Sequence, residues 1–437
     1  MENYMQKNPA ENVSPMDEEI RPRLPAFRNA LRPFQRLDYF KIFIVISGLV
    51  FAMTIRVYLM DFKSLDYYAS LKPWYNTIKT LGFSAFGTNF STYNPPYLYL
   101  LYLIARFFPD IPVVIAVKLP ALFADFICAY FVSLIVKIKH PGGQASLLSG
   151  MITLFAPTVV LNSAFWGQAD SLYTAGLLAC IFFLLKRKHA LAMLAFGIAL
   201  AFKLQAVFLA PFLLALFWRR DIRWKNFLIV PLILILALMP AWIAGRPILD
   251  LLNIYLFQTS QFELLTMNAP TIFAWFPATK MVFNHFYLPG VIIGIIAAFI
   301  LFLLIYKSAR KLNQPVLVEL ALLSVLLIPF FLPKMHERYF YPADMISIVF
   351  AFFFPRFFYI PILVGGVSFL AYQPYLFGRE PVPLGILALI LLTTISIITY
   401  HSVDFLYSST PNENTALTPE NSEIGADNKE TLLEDTA

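Results

Sequence analysis

The run Lys334-Met335-His336-Glu337-Arg338 closes a long apolar stretch, 316–332, with four ionisable side chains. Charges at a hydrocarbon boundary are costly unless they face water, a partner or a ligand. Arg338 is suited to a two-point grip on phosphate. His336 adds a donor or acceptor near neutral pH, and Glu337 a carboxylate. Asp66 lies just beyond the first apolar span. It fits a general base that accepts a proton from a substrate hydroxyl, or else an interfacial Asp that caps the next helix. Asp125 sits inside Ala121-Leu122-Phe123-Ala124-Asp125-Phe126, where a lone carboxylate is a site residue by default unless a proton or a Lys or Arg neutralises it. Trp166-Gly167-Gln168-Ala169-Asp170-Ser171 is a tight connection. Gly167 permits its turn, while Gln168 and Asp170 offer the hydrogen bonds that sugar hydroxyls need. Lys203-Leu204-Gln205 interrupts an otherwise apolar segment, and its ammonium is placed to pair with Asp170 or Asp125, to bind an anionic head group, or to snorkel. Tyr93-Asn94-Pro95-Pro96-Tyr97 reads as a turn and helix start, because Pro suits the first helical turn. The five His are widely scattered, so metal-ligand spacing is weak and no metal site is expected.

The elements that must position these groups are membrane spans. The 437-residue chain is 59% apolar and 14% charged, far from a soluble composition. Its net charge of +7 collects at the ends of apolar segments, which the positive-inside rule explains without nucleic acid. Cys128 and Cys180 both fall in apolar segments, so they read as small core residues. Apolar spans are expected near 41–60, 115–136, 145–165, 170–185, 190–203, 205–218, 226–244, 288–306, 316–333, 340–354, 357–374 and 382–400. With the Arg-rich segment 1–40 in the cytoplasm, the basic junctions at 137–139, 186–188, 219–223 and 307–311 all fall inside. Both termini are then cytoplasmic, and Asp66, Asp125, Asp170, Lys203 and the 334–338 run share the external face.

This gives three regions: a basic tail at 1–40, with an amphipathic stretch at 27–34; a membrane domain at 41–400; and an acidic, disordered tail at 401–437. The first external loop, 61–114, is long enough to be functional and carries two amphipathic segments near 67–82 and 95–108. A second external loop spans 245–287. The expected fold is an all-α polytopic bundle of about 11–13 transmembrane helices with interfacial helices in the first external loop.

Taken in order, Asp66-Tyr67 with Pro73-Trp74-Tyr75, Tyr93-Asn94-Pro95-Pro96-Tyr97, the 166–171 motif, Lys203-Leu204-Gln205 and Lys334-Met335-His336-Glu337-Arg338-Tyr339-Phe340 resemble the GT-C glycosyltransferases over roughly residues 40–400. The likeness is to bacterial relatives of dolichyl-phosphate-mannose mannosyltransferases. It implies inverting transfer of one hexose, with mannose favoured, from a polyprenyl-phosphate donor to an acceptor hydroxyl on the external face of the plasma membrane. Asp66 would be the base, with Asp61 five residues away as its competitor. Arg338, His336 and Lys203 would hold the donor phosphate. Asp125, Trp166, Gln168, Asp170, Gln205 and Glu337 would contact sugar or acceptor. The resemblance implies no cofactor and no metal, a lipid bilayer and a polyprenyl-phosphate sugar as partners, and a protein, glycolipid or glycan as acceptor. The rival is a multi-span transporter or flippase, which predicts internal repeats and broken helices meeting near the midplane.

Overall fold

A computed structural model of the chain describes residues 39–254 and 263–408 in full and the backbone of 255–260. The expected tail 1–40 with its amphipathic stretch, and the acidic segment beyond Ser408, lie outside the described residues apart from Tyr39 and Phe40. The chain divides into two units at Phe51, and the first contributes residues 39–51 of one helix. All the groups singled out above lie in the second, from Ala52 onwards.

The protein is an all-α, multi-pass membrane protein. Among the described residues, seven helices are long and apolar enough to cross a membrane: Tyr39–Leu59, Val113–Lys139, Trp224–Ile243, Lys280–Lys307, Gln314–Phe331, Pro355–Phe377 and Leu384–Tyr407. The pair Gln144–Phe155 and Pro157–Trp166, bent by 50°, makes an eighth if it counts as one span. Three shorter apolar helices, Asp170–Leu185, His189–Phe202 and Leu204–Trp218, accompany them. Their places match eleven of the twelve expected apolar segments, and the buried helix Tyr341–Phe353 stands at the twelfth, but by length and composition seven or eight helices qualify as spans against the 11–13 expected. Burial separates core helices from peripheral ones: 72% of the apolar window of Gln314–Phe331 is buried, against 11% for Trp224–Ile243. An apolar helix left that open belongs against hydrocarbon.

Three boundaries differ from expectation. Lys280–Lys307 starts eight residues before 288, because Thr279 caps it by accepting from the Val282 N–H at 3.3 Å and Pro289 is tolerated within it. The connection expected at 245–287 is therefore shorter, and it carries its own helix, Ile248–Ser260. The last helix runs to Tyr407, so 401–407 is not part of a tail. There His401 and Ser402 both bond Glu319, a fully buried carboxylate on Gln314–Phe331, at 2.7 and 2.9 Å. A buried charge that finds two partners extends the helix that brings them.

The 61–114 connection carries helices over the two segments expected to be amphipathic. A π-helical turn, Tyr67–Leu71, leads into Lys72–Leu81, and Pro95–Phe107 follows. Pro73 and Pro95 stand in the first turns, where their missing N–H costs nothing. Trp74, Tyr75 and Ile78 from one helix and Tyr97, Leu98 and Leu101 from the other are buried in one apolar cluster. The two surface helices are thus locked to each other, and the chain on either side of them is held in place.

Candidate active site

Asp66 stands immediately before the first π-turn, yet its side chain makes no capping bond there. Ser64 does that work: its hydroxyl accepts from the Tyr67 N–H at 3.2 Å and donates to the Trp166 carbonyl at 3.0 Å. The Asp66 carboxylate turns instead to the connection after Pro157–Trp166. Its Oδ2 accepts from Trp166 Nε1 at 2.8 Å and from Gln168 Nε2 at 2.6 Å. Both bonds fall on one oxygen, so Oδ1 is engaged by neither. The reading of Asp66 as a helix cap therefore fails on geometry.

The backbone that delivers these donors is unusual at two points. Leu161–Trp166 is a second π-helical turn, a widening common at functional sites. Gly167 then adopts φ +87°, with a hypothetical Cβ 3.3 Å from Lys118 Cγ and 3.4 Å from Leu71 Cδ1. This left-handed residue lets Trp166 and Gln168, two positions apart, aim at the same carboxylate. The Asn162 carbonyl closes the turn by accepting from the N–H groups of Gly167 and Gln168. Lys118, fully buried, ties the layers together by donating to the carbonyls of Met60, Phe62 and Phe165 at 2.7–2.9 Å. Tyr93 donates its hydroxyl to Gln168 Oε1 at 3.0 Å, which fixes the Gln168 amide with its nitrogen towards Asp66.

The second half of the site comes from breaks in apolar helices. Lys203 is extended (φ −154°, ψ 134°) between His189–Phe202 and Leu204–Leu209, and its ammonium pairs with Asp170 Oδ1. Asn162 Nδ2 donates to the other oxygen of Asp170 at 2.9 Å, and Arg338 Nε stands 3.9 Å from it. Lys334 has φ +61°, and its N–H donates to the Leu265 carbonyl at 2.7 Å. Met335–His336 then pairs in parallel with Thr266–Met267, and Asn268 bridges to His336. The 334–338 run is thereby stitched to residues 266–268. Arg338 donates to Glu337 Oε1 at 2.9 Å and lies 5.2 Å above the Trp166 ring. Its Nε, though buried, has no hydrogen-bond partner among the described residues.

These groups meet in one cavity of about 550 Å³. Asp66, Gln168, Lys203, Gln205, His336, Glu337 and Arg338 line it, together with Tyr93, Asn94, Thr266, Asn268 and Tyr375. Trp166 links its two halves, with Asp66 on the N–H edge, Arg338 on the face, and the Tyr375 ring stacked at 4.8 Å. Burial pushes the Glu337 carboxyl up to about 7, against the pull of Arg338. Burial, with the charges of Arg338 and Lys203, holds the His336 imidazole well below its usual value. His336 is therefore a neutral donor or acceptor at pH 7 rather than a cation.

Three residues read as sugar or acceptor contacts do not line the cavity. Asp125 is fully buried, and Arg56 Nε (3.0 Å), Ser163 Oγ (2.6 Å) and the Tyr341 hydroxyl (3.3 Å) occupy its carboxylate. It is a structural ion pair. Trp166 is also fully buried, and its polar atom is spent on Asp66. Asp170 lies behind the wall, orienting Lys203. Asp61, the competing base, is exposed and is not among the lining residues.

Sequence reasoning missed Arg56, Lys118, Asn162, Tyr93 and the 266–268 segment. A signal existed for the first three, since each is a polar side chain within or beside an apolar run. Tyr93 was assigned to a turn, and nothing local marks 266–268 as a strand. Among the described residues, no three His, Cys, Asp or Glu side chains converge as metal ligands would. Cys128 and Cys180 are free and buried, as expected.

No protein-family model matches the chain, and no curated protein matches it. Among solved structures it is similar to ArnT from Cupriavidus metallidurans, in a crystal structure bound to undecaprenyl phosphate. The sequence identity is 12%, with 82% of this chain and 77% of that chain covered and a TM-score of 0.49.

Proposed function

We propose that this protein is a membrane glycosyltransferase of GT-C type that transfers one hexose, mannose first among the candidates, from a polyprenyl-phosphate donor to an acceptor hydroxyl with inversion. The observation that carries this reading is a carboxylate and two cations lining one cavity at the ends of apolar helices: Asp66, Lys203 and Arg338. A base held by two neutral N–H donors, in one cavity with cations able to receive a phosphate, fits displacement at a carbon bearing a phosphate leaving group. The transfer is a single step. The acceptor oxygen attacks the anomeric carbon while its proton passes to Asp66. The bond from that carbon to the phosphate oxygen breaks, and the polyprenyl phosphate leaves with one more negative charge than the donor carried.

In this reading Arg338 and Lys203 receive that charge, and His336, neutral, contributes a hydrogen bond. Gln205, Asn94 and Asn268 offer neutral donors and acceptors for sugar or acceptor hydroxyls. Leaving-group stabilisation comes from side chains, without a divalent metal. The cavity faces the external side of the plasma membrane, with both termini in the cytoplasm. The acceptor is a protein, a glycolipid or a glycan.

The test is transfer of radiolabelled sugar from a panel of polyprenyl-phosphate monosaccharides, using purified protein with a membrane extract as the acceptor source. The anomeric configuration of the product is read by NMR. The reading expects one donor to support transfer and the product to have the configuration opposite to the donor's. Retained configuration would remove the single-step mechanism. No transfer from any donor, with an extract known to hold acceptors, would turn the assignment towards transport.

A further inference from the structure

The two cations of the cavity are not idle. Lys203 is paired with Asp170, and Arg338 with Glu337. Counting Asp66, two cations already face three carboxylates. A phosphate entering this space would be a fourth anion, in surroundings where an uncompensated charge is expensive. The least costly relief is for one carboxylate to take up a proton. Asp66 is held by two N–H donors, and Asp170 by Asn162 and Lys203. Glu337 is 2% exposed and has Arg338 as its one cationic hydrogen-bond partner, with the His336 ring 3.9 Å away.

We propose that Glu337 is a latch on Arg338: its carboxylate holds the guanidinium in the empty cavity, and when an anionic phosphate enters it takes up one proton from solvent and releases Arg338 to the ligand. This rests on the phosphate-binding reading above and adds a role to Glu337 other than sugar contact. The partners of Arg338 suit such a hand-over. One terminal nitrogen is bound to Glu337 and lies 3.4 Å from His336 Nδ1, while Nε is buried without a hydrogen bond among the described residues. The guanidinium is thus kept over Trp166 with unused donor capacity. The charged and titratable groups that act on Glu337 or on Arg338 beside it are Asp66 from the first loop, Asp170 and Tyr173 from Asp170–Leu185, Lys203, His336, Tyr93 and Tyr339, and Tyr372 and Tyr375 from Ile360–Phe377. The tyrosines stay neutral, and His336 is held neutral by burial and by the two cations, so Glu337 is the group left to accept the proton. Its carboxyl, already pushed up to about 7 in the empty cavity, must rise by about two units or more when the phosphate is bound.

The sign follows from linkage. Below pH 7 Glu337 is already protonated in part, and the ligand finds Arg338 released. Above pH 7 each binding event must bring a proton with it, so affinity falls as pH rises. The probe is farnesyl methyl phosphate, a prenyl phosphodiester that keeps a single negative charge between about pH 6 and 9. Binding to the full-length protein in nanodiscs is measured by calorimetry in buffers of different ionisation enthalpy, for wild type and Glu337→Gln. The latch expects the wild-type Kd to rise about tenfold per pH unit above pH 7, with about one proton taken up per ligand at pH 8. It expects Glu337→Gln to bind with a Kd that does not change over that range. Wild-type binding with no pH slope and no proton uptake overturns the latch and leaves the phosphate site standing. A variant that keeps the wild-type slope also overturns it, because the proton then goes elsewhere. No binding by wild type at any pH overturns the latch and the phosphate-binding reading together. If the variant does not fold, the wild-type proton count decides alone.

Discussion

Asp125 and Asp66 are both carboxylates in a greasy protein, and the structure treats them oppositely. Asp125 is closed off. Arg56 neutralises it, Ser163 and Tyr341 fill its remaining positions, and the spare donors of Arg56 go to the carbonyls of Ala52 and Leu154 at 3.2 and 3.0 Å. Arg56 even has the Phe126 ring 5.6 Å from its centre. Asp66 forms no ion pair among the described residues: Trp166 and Gln168 donate to one of its oxygens, and it borders a cavity that Lys203 and Arg338 also line. The difference teaches that a buried ion pair with every atom satisfied marks architecture, whereas a carboxylate held by neutral donors in a cavity that also carries cations marks a site.

This contrast can be broken, starting with the largest effect. Arg56→Met leaves the Asp125 charge buried and unpaired, and should cost about 3–5 kcal/mol of stability. Thermal unfolding in detergent would record a large fall in Tm, and an unchanged Tm would mean that Asp125 is not held as a charge. Arg338→Lys keeps the charge but loses the planar fork, and should lower kcat by about 10²–10³ while Tm moves little. A loss confined to Tm would return Arg338 to a structural role. Trp166→Phe keeps the ring between Tyr375 and Arg338 and removes only the N–H. We expect about a tenfold loss in kcat and about 1 kcal/mol in stability, read from initial rates and unfolding together. Tyr93→Phe frees the Gln168 amide to flip, and a fewfold fall in kcat with KM for the donor nearly constant would sharpen the view that it positions the base. A change in KM alone would place Tyr93 on the donor instead.

Much of the fold was legible because a membrane span has a simple signature. The apolar segments, the two surface helices of the first loop and the break at Lys203 could all be read from hydropathy and proline placement. Asp66, Lys203, Glu337 and Arg338 were legible for a related reason, since an ionisable group at the edge of an apolar run stands out. Asp125 stands out equally, but its partner Arg56 lies 69 residues earlier and no local pattern joins them. Trp166 is expected to contact sugar or acceptor, whereas its indole N–H reaches sideways to a carboxylate 100 residues away. The pairing of Thr266–Met267 with Met335–His336 is a long-range contact between two-residue strands, too short to leave a periodicity. The helical turn at 401–407 was lost to composition, since only the buried Glu319 explains why His401 and Ser402 stay ordered.

The most direct test of the account sets two isosteric variants side by side, Asp66→Asn and Asp125→Asn, and measures sugar transfer per folded molecule and Tm on the same preparations. The account predicts that Asp66→Asn loses about 10²–10⁴ in rate at an almost unchanged Tm. It predicts that Asp125→Asn, which strands the Arg56 charge, loses stability but keeps its transfer rate per folded molecule. An Asp66→Asn protein that transfers at the wild-type rate, or an Asp125→Asn protein that keeps its Tm and loses transfer, would contradict it.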